Sequence, residues 1–309
     1  AEAALNADIN TKGRAECDGK LSCSKATYFD AKATQCGGYE ACKEITALMD
    51  ISSIDCLATR SCSNNHILAA LNVKCNANRA CQYSVIESGK SVQCEGHYGC
   101  ANADITSKST VKCTSQGACH KANVTSGGAV NVDGDKAASN AIIYAPNVNV
   151  RGYAGLVGGT ILSDGIATVT IKMEGDASGK GAGIICAAGS KCKLTCLSNA
   201  CKEMDFVCLN GADCKTTPKE CQQPRGPAKI EEIFCPNMIY SSSKQEDEEV
   251  LELIEQRKIE MMQDESYKQL MEKLEFDAQQ YDDTEEQLNK MDQDIVRNIE
   301  ISGMKEMNN

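Results

Sequence analysis

The chain has 309 residues, with 43 acidic and 32 basic side chains, three histidines, no tryptophan and a net charge of −11. The acid is concentrated at one end: residues 244–309 hold 20 acidic and 8 basic residues, a balance of −12, which leaves +1 for residues 1–243. Neither part carries the basic stripe of a nucleic-acid binder, and no apolar run is long enough to cross a membrane as a helix.

The 20 cysteines all fall between Cys17 and Cys235. Zinc ligands commonly stand about two to four residues apart, with a second pair nearby. The wider, uniform gaps seen here, with three histidines in the whole chain, fit that poorly. Disulfides are expected instead, and with them an oxidising compartment. The chain opens at Ala1, with no Met and no apolar leader. The expectation is therefore a mature secreted or cell-surface protein whose signal segment was removed.

In chain order, residues 1–16 contain Ala, Leu and Ile but no Cys, and are expected to form an N-terminal cap. The spacing Cys-x5-Cys then occurs six times, at Cys17/Cys23, Cys36/Cys42, Cys56/Cys62, Cys75/Cys81, Cys94/Cys100 and Cys113/Cys119, with starts 19 or 20 residues apart. A unit this short cannot bury a core alone, so each repeat must be one coil of a solenoid. Two residues before each first cysteine after Cys17, and before its equivalent in the following coil, stand Thr34, Ile54, Val73, Val92, Val111 and Val130. Five residues after the second cysteine stand Tyr28, Ile67, Ile86, Ile105 and Val124. These mainly β-branched positions predict strands. The alternation Val73-Lys74-Cys75 puts Val and Cys inside and Lys outside. Turn-prone segments such as Gly37-Gly38, Ser88-Gly89 and Gly127-Gly128 separate two or three short strands per coil. A leucine-rich repeat would need a Leu ladder that is missing.

The identical gap predicts a disulfide within each coil. Pairing between stacked coils is the competing connectivity, and spacing does not decide between them.

Beyond Cys119 the strand signal continues without cysteines at Val148-Asn149-Val150 and Val169-Thr170-Ile171. Gly152 and Gly158 stand where a cysteine pair is expected, and Ile142, Ile143, Ile161, Leu162, Ile166 and Val169 are expected to supply the packing instead. Cysteines then return at Cys186/Cys192, Cys196/Cys201 and Cys208/Cys214, with pair starts only about half a coil apart, which predicts a tapering end near residue 215. The pairing of Cys196, Cys201, Cys221 and Cys235 is left open. Pro218, Pro224, Pro227 and Pro236 mark residues 216–243 as cap and linker. From Lys244 the chain is rich in helix formers, with Tyr267, Leu274, Tyr281, Leu288 and Ile295 seven residues apart. This predicts an amphipathic helical tail over 244–309 that docks on another surface.

The Cys-x5-Cys repeat and its Val-x-Cys strand ends resemble the right-handed parallel β-helix, or pectin-lyase-like, superfamily in a disulfide-stapled form. The resemblance covers residues 17–215. It implies a mainly β solenoid of about ten coils, and it carries over no catalytic residue because no motif of that kind matches. The layout is also similar to that of Cys-rich β-helical subunits of extracellular filaments, such as flagellar hairs.

Other candidate residues are few. Asn123-Val124-Thr125 is an N-glycosylation sequon. Asp133-Gly134-Asp135 and Asp164-Gly165 are acidic turns that suit Ca²⁺ or polysaccharide-cleaving carboxylates, though ordinary turn chemistry explains them more simply. His66, His97 and His120 share no column and read as surface or turn residues. No metal or cofactor is expected. The first reading is a secreted scaffold whose tail joins copies of itself or other extracellular structural proteins, with glycan contact as a further option. An adhesive or carbohydrate-binding module and a polysaccharide-active enzyme are the alternatives.

Overall fold

A computed structural model describes residues 9–25, 29–45, 48–163, 166–197, 199–201, 203–217, 236–240, 248 and 251–252. The chain divides into two compact units, Ala1–Leu251 and Glu252–Asn309. The first is a parallel β-solenoid of about ten turns.

Its opening coils each contribute one long strand: β1 (Ile9–Cys17), β2 (Phe29–Cys36), β3 (Leu48–Cys56) and β4 (His66–Cys75). From there a tight corner splits each coil into two strands. One ladder is β5 (Val85–Ser88), β7 (Asp104–Ser107), β9 (Asn123–Ser126), β11 (Ile142–Tyr144), β13 (Thr160–Leu162), β15 (Gly183–Cys186), β17 (Asp205–Cys208) and β19 (Asn237–Tyr240). The other is β6 (Ser91–Cys94), β8 (Thr110–Cys113), β10 (Ala129–Asp133), β12 (Asn147–Arg151), β14 (Thr168–Met173), β16 (Lys191–Cys196) and β18 (Asp213–Thr217). Each strand pairs in parallel with its counterpart one coil away.

The expected inward columns are in register. Ile67, Ile86, Ile105 and Val124 stack in the first ladder and continue through Ile143, Ile161, Ile184 and Phe206. Ile54, Val73, Val92, Val111 and Val130 stack in the second and continue through Val148, Ile171 and Leu194. All of these side chains are buried. Burial of each contributes roughly 1.5–3 kcal/mol relative to exposure, so a coil lacking its own core is stabilised by its neighbours.

The third side of the coil is a stack of turns rather than a third strand. Alternate amides donate to the next coil, as from Cys81 N to Gly99 O at 2.7 Å and from Cys100 N to Ala118 O at 2.7 Å. The amides between them close back on their own coil, as from Gly99 N to Gly96 O at 2.9 Å. This geometry needs left-handed residues at fixed places. Arg79 and Tyr83, Tyr98 and Asn102, and Lys136 and Asn140 all have φ between 51° and 58°. None of these is glycine, so residue type offers little conformational cue to them.

At the corner between ladders, a buried serine closes the turn. Ser107 Oγ donates to Lys90 O at 2.7 Å and accepts from Ser109 N at 3.3 Å, and Ser88 and Ser126 repeat the arrangement.

The structure corrects three expectations. The solenoid is not confined to 17–215: β1 begins at Ile9, and β19 lies inside the segment expected to be cap and linker. Pro236 directly precedes β19, a place where its missing N–H costs no ladder bond. Second, the middle coils shift register. Val130 pairs with Val148 and Val148 with Ile171, so one coil is slightly shorter than the regular repeat and the next is clearly longer. Val169 is therefore not the partner of Val148. Third, the end does not taper. Cys186 pairs with Cys208 and Cys192 with Cys214, so the coil there is longer than the regular repeat, not shorter. The shortened cysteine spacing arises because the coil spanning β15 and β16 contains two staples, not because the coils shrink.

Candidate functional site

The eighteen described cysteines form nine disulfides, and none of them is free. The bonds Cys17–Cys23, Cys36–Cys42, Cys56–Cys62, Cys75–Cys81, Cys94–Cys100 and Cys113–Cys119 each lie within one coil, with Cα atoms 5.7–5.9 Å apart. Strand register stacks the first cysteines directly, Cys56 on Cys75 on Cys94 on Cys113. The result is an internal column of sulfur that ties the end of one strand to the turn that follows it. The sulfurs of Cys56, Cys75 and Cys81 lie within 4.8 Å of one another. All three are consumed in disulfides, so they offer no thiolate to a metal.

The same two columns continue where the cysteines stop. The first-cysteine column runs from Cys113 through Val132, Val150 and Met173 to Cys196. The second runs through Ala138, Leu156 and Gly179 to Cys201, as the amide bonds to the next coil show: Cys119 to Ala137 O, Ala138 to Gly155 O, Leu156 to Ser178 O and Gly179 to Ala200 O. Val150 and Leu156, not Gly152 and Gly158, therefore replace the missing pair. Cys196–Cys201 resumes the original column. Cys186–Cys192 and Cys208–Cys214 form a second column, which joins the two ladders across the serine corner. Cys221 and Cys235 lie outside the described residues.

Asn123 is exposed at the start of β9, and its Nδ2 donates to Asp104 Oδ1 one coil away at 2.7 Å. Val124 points inward and Thr125 outward, so the sequon is on a solvent-facing strand. Asp133 and Asp135 are exposed, and Asp164 lies outside the described residues.

The histidines separate. His66 is exposed beside Glu87 at 3.4 Å. His97 packs edge-on to Tyr98, with ring centroids 4.8 Å apart. His120 corrects the surface reading: it is buried, with Nδ1 2.7 Å from Ser139 Oγ and its ring edge-on to Tyr98. Burial, reinforced by the Lys121 charge and opposed by hydrogen bonding at Ser139, lowers its pKa from 6.5 to about 4. It is a neutral structural residue near pH 7.

The outer face of the second ladder is a polar array. Ser91 Oγ donates to Asn72 Oδ1 at 2.7 Å, and Asn149 Nδ2 to Asn131 Oδ1 at 3.0 Å. Lys74 stands 3.8 Å from Asp55, and Lys112 is exposed. Toward the C-terminal end Glu174 binds both Lys172 and Arg151, and these cations hold its carboxyl below the usual range, with the Lys172 hydrogen bond the largest influence. Tyr267, Leu274, Tyr281, Leu288 and Ile295, the expected assembly row, lie outside the described residues.

Comparison with protein-family profiles, curated proteins and solved structures returns no match. The solenoid itself is therefore the ground for a functional reading.

Proposed function

We propose that the protein is an extracellular structural scaffold in which the disulfide-stapled solenoid is a rigid element and the acidic segment 244–309 joins it to neighbouring copies. The observation that carries this reading is the filling of the interior. Stacked apolar side chains and cystines fill the coil centre from Cys17 to Cys208, all of them buried. A chain built this way presents long flat outer faces and invests its unusual chemistry in stiffness. Abundant intrachain disulfides are typical of secreted or surface proteins.

The tail suits a joint for two reasons. It has a heptad-spaced apolar row, and it carries the charge that the body lacks. An amphipathic stripe gains most of its stability by burying its apolar face against another surface.

Sedimentation velocity and electron microscopy of the full chain, beside a chain ending at residue 243, test the reading. The full chain should form ordered oligomers, and the truncated chain should remain an oxidised, folded monomer. Equal assembly by both, or a full chain that stays monomeric across the accessible concentration range, would overturn it.

A further inference from the structure

We infer that the outer face of the second ladder over β14, β16 and β18 is the seat for the acidic segment 244–309 of a second copy. The inference rests on the assembly reading above and names the surface it uses. The strand β16, Lys191-Cys192-Lys193-Leu194-Thr195-Cys196, alternates outward and inward, with Lys191, Lys193 and Thr195 on the outer face. In register, Thr170 stands beside Lys193 and Lys193 beside Lys215, while Thr168, Lys191 and Asp213 form the adjacent column.

Like charges directly opposite on neighbouring strands are destabilising. Along the described part of this ladder, Lys193 beside Lys215 is the one place where that arrangement occurs. Earlier in the same ladder the cations are separated: Gln93 sits between Lys74 and Lys112.

Asp213 pairs with Lys215 on its own strand at 3.2 Å and so offsets part of that repulsion, and Glu174 is engaged by Lys172 and Arg151, which leaves neither acid to Lys193. Lys191 and Lys193, both exposed, form no ion pair among the described residues. Lys172, Lys191, Lys193 and Lys215 outnumber Glu174 and Asp213 on this face, which leaves net positive charge on a body that is otherwise near neutral.

An anionic partner supplies Lys191 and Lys193 with the counter-charge that the local acids do not. The molecule supplies one with a balance of −12 over residues 244–309, including Asp282, Asp283, Glu285 and Glu286 within five positions. A contact between different surfaces of successive copies is heterologous and propagates when it does not close into a ring. The seat and the tail therefore suffice for a filament.

The test is carbodiimide cross-linking of an equal mixture of isotopically light and heavy full-length chains, followed by peptide mapping. Amide bonds should join Lys191 or Lys193 of one copy to acids within 244–309 of another. In parallel, the Lys191→Glu/Lys193→Glu chain should need roughly tenfold more protein for half-assembly, as expected for reversing two partly screened ion pairs. The equal charge change Lys108→Glu/Lys112→Glu, at exposed positions elsewhere, should leave that concentration within about twofold. Added salt should weaken the wild type more than the Lys191→Glu/Lys193→Glu chain.

Cross-links that stay within one chain, or that use other lysines, overturn this seat while the assembly reading stands. The same holds if both double variants behave alike. Loss of retention on an immobilised sulfated polysaccharide by the Lys191→Glu/Lys193→Glu chain, with no cross-link between copies, assigns the face to a glycan and also overturns the seat. A full chain that does not self-associate at all fails the assembly reading itself.

Discussion

Cys75→Val with Cys81→Ala exchanges a sulfur rung for the pair that the same two columns carry at Val132 and Ala138, one coil beyond the last of the six regular staples. Cys75 and Cys81 are six residues apart and fully buried. Closing so short a loop restricts the unfolded chain by about 2.4 kcal/mol in the chain-entropy treatment. The replacement hydrocarbon meets the same kind of neighbours that Val132 meets in its own coil, so little is added for packing, and the expected loss is about 2–3 kcal/mol. Cys75→Ser with Cys81→Ser removes the same bond but buries two hydroxyls in a column lined by sulfur. Each unsatisfied hydroxyl costs about 1–3 kcal/mol more, for a total of roughly 4–9 kcal/mol. Urea unfolding followed by circular dichroism measures both variants against the wild type under oxidising conditions. The Val/Ala chain should keep a cooperative transition at a lowered midpoint, and the Ser/Ser chain should unfold at much lower urea. If the two lose the same stability, the columns are not interchangeable between sulfur and hydrocarbon, and the account of the unstapled coils fails.

Other outcomes follow from single contacts. His120 is neutral in the folded chain with its pKa near 4, below the unfolded value of 6.5. The unfolded chain therefore takes up a proton first as pH falls, and stability should drop by up to about 3 kcal/mol between pH 6.5 and 4 and then level off. His120→Gln should remove that slope in urea unfolding at stepped pH, and an unchanged slope would assign it elsewhere. At Gly117 a Cβ would stand 2.7 Å from the Tyr98 ring, and the residue has φ of +61°. Gly117→Ala should therefore cost about 1–3 kcal/mol by the same assay, and a change within about 0.5 kcal/mol would refute the close packing. Cys62→Ala leaves the Cys56 thiol within 4.8 Å of the Cys75 and Cys81 sulfurs. Attack by that thiolate would form a Cys56–Cys75 or Cys56–Cys81 bond and release the other cysteine as a thiol. Alkylation and non-reducing peptide mapping should find the free thiol spread over the three positions; a thiol confined to Cys56 would show that the column does not exchange.

The parts of this architecture that repeat by residue type were legible in the sequence. Val73, Val92 and Val111, and Ile67, Ile86 and Ile105, announce inward strand positions because only a stacked coil places a β-branched residue at the same offset each time. The third side was not legible, because its requirement is conformational. Leu21, Glu40, Arg60, Arg79 and Tyr98 share a left-handed backbone at one offset while ranging from aliphatic to acidic, basic and aromatic. The middle of the staple columns was hidden for a related reason. Gly152 and Gly158 keep the six-residue gap, but the register bonds select Val150 and Leu156, which share only apolar character with cysteine. His120 stands in a turn, one of the two places expected for it, but its burial was not legible because a buried imidazole requires a partner from the next coil, here Ser139, and a single coil does not reveal its neighbour. The lysine face was visible as letters, but its meaning depends on register: Lys193 and Lys215 are a full coil apart in sequence and adjacent across the ladder.

The placement of the staples divides the mechanical work of the solenoid. All nine described disulfides join residues five or six positions apart, and none links one coil to the next. Covalent bonds therefore fix the shape of each coil, while cohesion along the axis rests on parallel backbone bonds and on the apolar columns. In a nearest-neighbour assembly of this kind, coils that are preshaped lose less entropy on stacking. The regular staples fall in the early coils, where Ala80, Ala118 and Cys line the interior beside the Ile and Val columns, while Leu156, Met173, Met204 and Phe206 line later coils. The staple is not the one way to hold that shape, because the slightly shorter coil that follows carries Val132 and Ala138 in the same columns. Where the coil lengthens, larger side chains share the task with the disulfides that return. A solenoid built this way resists distortion of its cross-section over the described coils, and under the proposed function it holds Lys191 and Lys193 at a fixed geometry for a neighbouring copy.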